Sequence, residues 1–128
     1  RNRPVYHPHK LKSVPYSESV LIDGMLYISG QIGNDANDYN KIVEGGLRSQ
    51  VRQAMNNIKN ILIKHDATMD DIVKCTCILA NGDDWGAMSE EYVKFFEKHK
   101  PARTTFGGAE LGDGILVEID CIAKISDN

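Results

Sequence analysis

The sequence has no long hydrophobic run and no cluster of lysines or arginines. No apolar stretch approaches the ~18–20 residues of a membrane-spanning helix, so we expect no membrane partner. The 128 residues carry 15 Lys and Arg against 18 Asp and Glu, a net charge of −3. Such a balance gives little attraction for a phosphate backbone, so we also expect no nucleic-acid partner. With 41% hydrophobic and 26% charged residues, the composition is typical of a globular domain.

Cysteine and proline are also scarce. The three cysteines, Cys75, Cys77 and Cys121, are odd in number and lie in apolar, strand-like runs. They predict reduced, buried thiols and a cytoplasmic protein; a metal or redox role for the first two is the less favoured alternative. Three of the four prolines fall within residues 1–16. We therefore expect one domain spanning residues 1–128, with residues 1–15 as an extended N-terminal arm.

A β-hairpin is predicted directly after this arm. Asp23-Gly24 separates two apolar runs, Val20–Ile22 and Met25–Ser29. An Asp-Gly pair suits the type I′ turn, because both central residues of that turn need positive φ. The polar segment that follows predicts a loop, with Lys41–Val43 as a short strand.

The hydrophobic period then changes to that of helices. An apolar stripe at three- and four-residue intervals predicts an amphipathic helix from Leu47, followed by a strand at Asp71–Ala80. A second helix is expected from Asp83-Asp84 to about Lys98, ended by Pro101. The stripe of the first helix consists of Leu47, Val51, Ala54, Met55, Ile58, Ile61 and Leu62.

Two strands are predicted at the end of the chain, at Arg103–Gly107 and Ile115–Ile125. The whole order indicates an α+β fold, a mixed β-sheet with two helices packed on one face. Residues 115, 117, 119, 121 and 123 should share one face of the sheet, and residues 116, 118, 120, 122 and 124 the other. The face of the sheet without helices must also be covered, and a small sheet commonly achieves this by oligomerising.

Arg103 and Glu118 are the candidate functional pair within these strands. If the strands form an antiparallel hairpin with its turn centred between Glu110 and Leu111, Arg103 lies opposite Glu118. The pair could then be a cross-strand salt bridge. Alternatively, Arg103 binds a carboxylate while Glu118 acts as an acid or base.

Two other patterns have weaker functional interpretations. His7 and His9 could bind a metal, but without a third ligand nearby they are better explained as part of a solvated arm. Gly45-Gly46 and Gly107-Gly108 could cradle a phosphate, but neither pair follows a phosphate-loop pattern, so turn and packing roles are favoured.

Six segments together resemble the reactive-intermediate deaminase family, also called the YjgF/YER057c/UK114 family. The resemblance implies a fold similar to chorismate mutase, assembled as a homotrimeric barrel with ligand clefts between subunits. It also implies hydrolysis of enamines and imines, such as 2-aminoacrylate and 2-iminopropanoate, to 2-oxo acids and ammonia without cofactor or metal. The segments are YISGQIG (27–33), GGLRSQVRQAMNNIKNIL (45–62), DIVKCTCILA (71–80), MSEEYVKFF (88–96), PAR (101–103) and VEIDCIA (117–123).

The resemblance also implies roles for individual residues. Arg103 would bind the substrate carboxylate and Glu118 would hold the attacking water. The two together suffice for an imine, whose carbon is already electrophilic. The expected substrate-binding residues are Tyr16, Gly30, Gln31, Trp85, Ser89 and Thr105.

Three positions depart from the family pattern. Thr105 stands where many members have a reactive Cys, Ser89 replaces a common Asn, and Gly112 occupies the place of a frequent Pro. These changes are compatible with a subgroup that acts on a bulkier imine. A non-catalytic trimer that binds small carboxylates and regulates a partner is a further alternative, whereas RNA cleavage is disfavoured by the acidic charge balance.

Overall fold

The computed structural model describes residues 3–125 and contains two helices and one six-stranded mixed sheet. The predicted α+β class is confirmed. The elements are β1 (Val5–Pro8), β2 (Ser17–Ile22), β3 (Met25–Ile32), α1 (Gly46–Lys64), β4 (Ile72–Leu79), α2 (Trp85–Val93), β5 (Ala102–Phe106) and β6 (Val117–Lys124). The strand order in the sheet is β1-β2-β3-β6-β4-β5, and short 3-10 turns precede β4 and α2.

The predicted hairpin is present as β2 and β3. Ile22 pairs with Met25, and the turn residues Asp23 and Gly24 have φ of 51° and 76°. Both positive values fit the type I′ geometry that the Asp-Gly pair predicted. In the loop that follows, the expected short strand is reduced to a single bridge between Asn34 and Ile42.

The N-terminal arm contains a strand that its sequence pattern did not indicate. Residues Val5–Pro8 form β1, which pairs antiparallel with β2 at one edge of the sheet. An edge strand pairs on one side only, so it tolerates Pro4 and Pro8 at its ends.

The hydrophobic core lies between the sheet and the two helices. The apolar stripe predicted for α1 is buried against the sheet, except for Leu47 at its start, which packs partly buried against the core. Burial of each large aliphatic side chain contributes roughly 1.5–3 kcal/mol. Helix α2 ends at Val93, earlier than predicted, because the N–H groups of Phe95 and Phe96 bond to carbonyls three residues back. This tighter turn brings Phe96 into the core, where it is 6% exposed.

The predicted pairing of the last two strands is wrong. Strand β5 runs parallel to β4, and β6 pairs antiparallel with the other side of β4. The reason is topological: α2 forms a crossover between β4 and β5, which places the two strands side by side and parallel. Strand β6 fills the gap between β3 and β4, so β4 separates Arg103 from Glu118.

The predicted alternation along β6 is confirmed. Val117, Ile119, Cys121 and Ala123 are buried beneath the helices, so the residues between them face the other side of the sheet.

The three cysteines are free and buried, as predicted, and the Sγ atoms of Cys75 and Cys121 lie 2.7 Å apart. Within residues 3–125, no helix is long and apolar enough to cross a membrane. Across the same residues, no cluster of three or more His, Cys, Asp or Glu could hold a metal ion.

Candidate functional site

Arg103 lies on β5 and points to the face of the sheet covered by α2. Its Nη2 donates a 2.9 Å hydrogen bond to Ser89 Oγ. The guanidinium carbon lies 5.0 Å from the centre of the Tyr92 ring and 5.7 Å from that of Trp85. Residues 85, 89 and 92 share one face of a helix because their spacing is four and three. One face of α2 therefore holds the guanidinium in place by a hydrogen bond and two cation–π contacts.

Thr105 lies two residues further along β5, on the same face as Arg103. It pairs in register with Cys77, whose side chain is fully buried. Thr105 Oγ1 is buried beside the Cys77 thiol and, among residues 3–125, has no hydrogen-bond partner other than that weakly bonding group. A stronger partner for this hydroxyl would have to come from a bound group. Trp85, at the mouth of this region, is 48% exposed. We call the region formed by Arg103, Ser89, Trp85, Tyr92 and Thr105 the arginine half-site.

Glu118 lies on β6 and faces the opposite side of the sheet. It pairs with Ile32 on β3 and with Ile78 on β4, so it is in the middle of the sheet. Partial burial raises the pKa of the Glu118 carboxyl above its usual value, and the Asp120 carboxylate on the same face raises it further. The carboxylate lies directly against the Gly30 backbone, where a Cβ atom would overlap Glu118 Oε2. Gly30 is therefore required for this close approach.

A cleft of about 420 Å³ opens beside Glu118. Tyr16 and Tyr39 form part of its wall, and their hydroxyl oxygens lie 3.3 Å apart. Tyr39 was not among the predicted site residues, although it is the only aromatic residue in the polar segment 34–41. We call this cleft the glutamate half-site; its lining residues are Tyr16, Ser29, Gly30, Ile32, Tyr39, Leu111, Ile115 and Glu118.

The segment that leads into β6 is held by Gln50, another residue that the sequence did not reveal. Gln50 is 4% exposed, donates from Nε2 to Gly114 O at 3.0 Å and accepts at Oε1 from Leu116 N at 2.9 Å. Its amide thus fixes the backbone just before Glu118. Gly33 makes room for it, because a Cβ there would come within 2.6 Å of the Gln50 Cα.

Gln31, a predicted substrate-binding residue, lies apart from Glu118. Its Nε2 donates to Ser29 O at 3.0 Å. Its side chain lines a different cavity, together with His9, Asn57 and Lys64. A β-bulge between Ile28 and Gln31 interrupts the simple alternation of faces along β3. The structure therefore groups Tyr16 and Gly30 with Glu118, and Trp85, Ser89 and Thr105 with Arg103, but places Gln31 with neither.

The two half-sites of one chain cannot meet around one small ligand. In the β4 register, Arg103 is beside Cys75 and Glu118 is beside Ile78. Two strand spacings and three residues along the strand separate their backbones by roughly 14 Å, with the side chains on opposite faces. The expected proximity of Arg103 and Glu118 within one chain is therefore wrong.

A family model described as Endoribonuclease L-PSP matches residues 8–125, almost the whole described chain. The chain belongs to the endoribonuclease L-PSP family. This assignment confirms the resemblance to the YjgF/YER057c/UK114 proteins. The RutC family protein UK114 of Drosophila melanogaster is 39% identical over 85% of this chain and 78% of its own. The 2-iminobutanoate/2-iminopropanoate deaminase of Homo sapiens is 37% identical over 85% and 79%.

Solved structures of the endoribonuclease L-PSP family have the same fold. The structure described as endoribonuclease L-PSP from Entamoeba histolytica has a TM-score of 0.85 and 35% identity, covering 96% of this chain and all of its own. Yeast Mmf1 has a TM-score of 0.82 and 32% identity, covering 94% of each chain. Both similarities therefore cover at least 94% of this chain.

Proposed function

We propose that this protein hydrolyses small 2-imino acids, and the enamines in equilibrium with them, to 2-oxo acids and ammonia. The observation that carries the proposal is the arrangement of Arg103 and Glu118. Helix α2 holds the Arg103 guanidinium in a fixed geometry, and the Glu118 carboxylate is partly desolvated on the opposite face of the same sheet. Relatives in Homo sapiens and Rattus norvegicus, each 37% identical, are named 2-iminobutanoate/2-iminopropanoate deaminase. The three buried thiols suit a reducing compartment, so we place the activity in the cytoplasm.

Hydrolysis of an imine needs only side-chain groups that this fold supplies. Arg103 binds the substrate carboxylate in its planar fork and orients the imine carbon. Glu118 accepts a proton from water as the water oxygen bonds to that carbon, while the nitrogen gains a proton from a donor in the cleft or from solvent. As the carbon–nitrogen bond of the resulting carbinolamine breaks, Glu118 returns its proton to nitrogen and the carbinolamine hydroxyl gives its proton back to the first donor. Ammonia and the 2-oxo acid then leave. Atoms and charge balance without an oxidant, a reductant or a cofactor.

We further propose that the reaction takes place between subunits of a homotrimer. One subunit would supply its arginine half-site and the next its glutamate half-site, since one chain holds them too far apart. The face of the sheet opposite the helices carries the exposed aromatic residues Tyr27 and Phe106 beside Ile78 and Ile122. Exposed apolar groups on a sheet face favour burial against another copy.

The decisive assay generates 2-iminopropanoate in place with an amino-acid oxidase and traps it with semicarbazide. Active protein should suppress semicarbazone formation. In Arg103→Ala and Glu118→Gln this hydrolytic activity should be at least ~100-fold lower, as expected when a binding or an acid–base group is removed. Arg3→Ala and Glu97→Gln, both on exposed side chains, serve as matched controls. For the wild type, kcat/KM should rise with pH through a pKa above the usual glutamate value, and Glu118→Gln should lose this limb.

A regulatory role is the second candidate. A Lactococcus lactis relative, 38% identical over 87% of each chain, is named as the regulator AldR. This function predicts that the wild type leaves semicarbazone formation unchanged but binds 2-oxobutanoate through Arg103. That combination of results would replace the deaminase proposal.

A further inference from the structure

Tyr39 occupies a place in the glutamate half-site that the proposed mechanism leaves unexplained. Its hydroxyl lies 3.3 Å from that of Tyr16, at hydrogen-bond distance in this geometry. Both rings line the cleft that contains Glu118. His9 packs edge-on against the two rings, with centroids 5.6 Å from Tyr16 and 4.9 Å from Tyr39. His9 belongs to the N-terminal arm, Tyr16 directly follows it, and Tyr39 lies in the segment 34–41, so these parts of the chain meet at one wall of the cleft.

The backbone that carries Tyr39 is braced from both sides. Asn34 Nδ2 donates to Tyr39 O at 3.1 Å, and Asn57 Nδ2 on α1 donates to Asn34 Oδ1 at 2.9 Å. A backbone bond of 2.8 Å from Asp35 N to Lys41 O closes the segment. Asn34 is 5% exposed, so this amide network is anchored within the fold. A side chain on such a support can hold a hydroxyl at a fixed place.

The direction of the hydrogen bond between the two hydroxyls decides what each can do. The bond to Tyr16, then burial and the nearby Glu118 carboxylate, raise the pKa of Tyr39 to about 12. Tyr39 therefore keeps its proton, and the 3.3 Å contact, in which either hydroxyl can be the donor, allows it to donate to the Tyr16 oxygen. A hydroxyl has one proton to donate, so Tyr16, when it accepts from Tyr39, is left with its own O–H for another acceptor.

We propose that Tyr39 is a positioning residue for imine hydrolysis: it donates to the Tyr16 oxygen and turns the Tyr16 O–H into the cleft beside Glu118. This inference rests on the proposed function, and it adds the proton donor that the reaction needs at nitrogen. As water attacks, its proton passes to Glu118 and the Tyr16 proton passes to the imine nitrogen. On collapse, the tyrosinate takes the carbinolamine hydroxyl proton, Glu118 returns its proton to nitrogen, and ammonia leaves. Both side chains end as they began.

A double-mutant cycle on the two tyrosines tests the inference. Tyr39→Phe keeps the ring beside His9 and removes only the hydroxyl, so kcat should fall about 5- to 10-fold with KM within ~2-fold. Tyr16→Phe should lower kcat further. In the Tyr16→Phe background, adding Tyr39→Phe should change kcat by less than ~2-fold, because Tyr39 acts through the Tyr16 oxygen. Tyr6→Phe, on the 65% exposed tyrosine of β1, is the matched control and should equal the wild type.

The cycle also separates this inference from the proposed function. If the wild type is active but Tyr39→Phe equals it, or if the two losses multiply, the inference is overturned and the proposed function stands. If the wild type is inactive, the proposed function fails. The same cycle is then run on the Kd of 2-oxobutanoate by calorimetry. Non-additive losses at Tyr16 and Tyr39 support the positioning role, whereas additive losses, or no binding by the wild type, overturn it. Unchanged Tm values exclude misfolding as the cause of any loss.

Discussion

The arginine half-site and the glutamate half-site differ in how the protein surrounds their charged groups. Arg103 is on an edge strand, yet Ser89, Trp85 and Tyr92 of α2 surround its guanidinium. Glu118 is in the centre of the sheet, yet within residues 3–125 its carboxylate makes no hydrogen bond or ion pair. A group that binds a carboxylate benefits from a fixed geometry and a permanent charge. A group that exchanges protons benefits instead from a pKa raised toward neutrality, which partial desolvation provides.

The comparison also explains why the halves lie on different faces. A direct ion pair between them would lower the pKa of Glu118 and occupy the fork of Arg103. In the proposed trimer, separation of the two groups within one chain avoids both effects until a second subunit and a ligand bring them together.

Subunit complementation should produce the largest change. Arg103→Ala and Glu118→Gln homotrimers should each be nearly inactive, but mixed trimers assembled from equal amounts should recover about a quarter of wild-type activity. The reason is statistical: one interface in four joins an intact arginine half-site to an intact glutamate half-site. The measurement is semicarbazone suppression after co-refolding. Pairing either variant with the Arg103→Ala, Glu118→Gln double variant should recover nothing. Absence of recovery in the mixed trimers, once their assembly is verified, would place both residues outside a shared site.

Gly30→Ala should disturb the glutamate half-site alone. The new Cβ would overlap Glu118 Oε2, and the flexible end of that side chain can move away more readily than the backbone. We expect kcat/KM to fall about 10- to 100-fold, because a displacement of ~1 Å can have that effect, with little change in Tm. Gly82→Ala is the control, since a Cβ there meets no atom within 4 Å. A large loss of Tm with retained activity would contradict this account.

Glu91→Gln should weaken the support of the arginine half-site, with the smallest effect on activity. Glu91 is 3% exposed and joins α2 to α1 through Arg48 at 2.8 Å and Arg52 at 3.0 Å. These partners lower the Glu91 pKa to about 2. Its contribution to stability is therefore present above the unfolded value near 4.5 and lost as pH falls toward 2.

The expected result for Glu91→Gln is a Tm lower by about 5 °C at pH 7. The difference from the wild type should shrink between about pH 4.5 and 2, as the wild-type carboxylate becomes protonated. Scanning calorimetry over this range provides the measurement, with Glu97→Gln on an exposed side chain as control. A difference that is independent of pH would show that shape, and not charge, connects the helices.

Local patterns were enough to predict most of the elements. Asp23-Gly24 predicted the hairpin because its turn chemistry is encoded by two adjacent residues. The stripe from Val51 to Leu62 predicted α1, and the alternation in β6 predicted its buried face, because both periods are set by backbone geometry. Strand β1 was missed because four residues beside prolines carry too short a pattern.

Those local patterns did not predict which strands pair with each other. The assumption that neighbours in sequence form a hairpin placed Arg103 beside Glu118, whereas the α2 crossover places β5 parallel to β4. Tyr39 and Gln50 reach the site from distant parts of the chain, and no local period identifies such residues. Their roles depend on one hydroxyl contact and two backbone hydrogen bonds that exist only in the folded chain.

Composition and short-range spacing encode the α+β class, the helix faces, the buried thiols and the residue types available for chemistry. The separate half-sites of Arg103 and Glu118, the approach of the carboxylate to Gly30 and the contact between Tyr39 and Tyr16 arise only in the folded chain. They depend on strand order and register, which the packing of the whole chain selects.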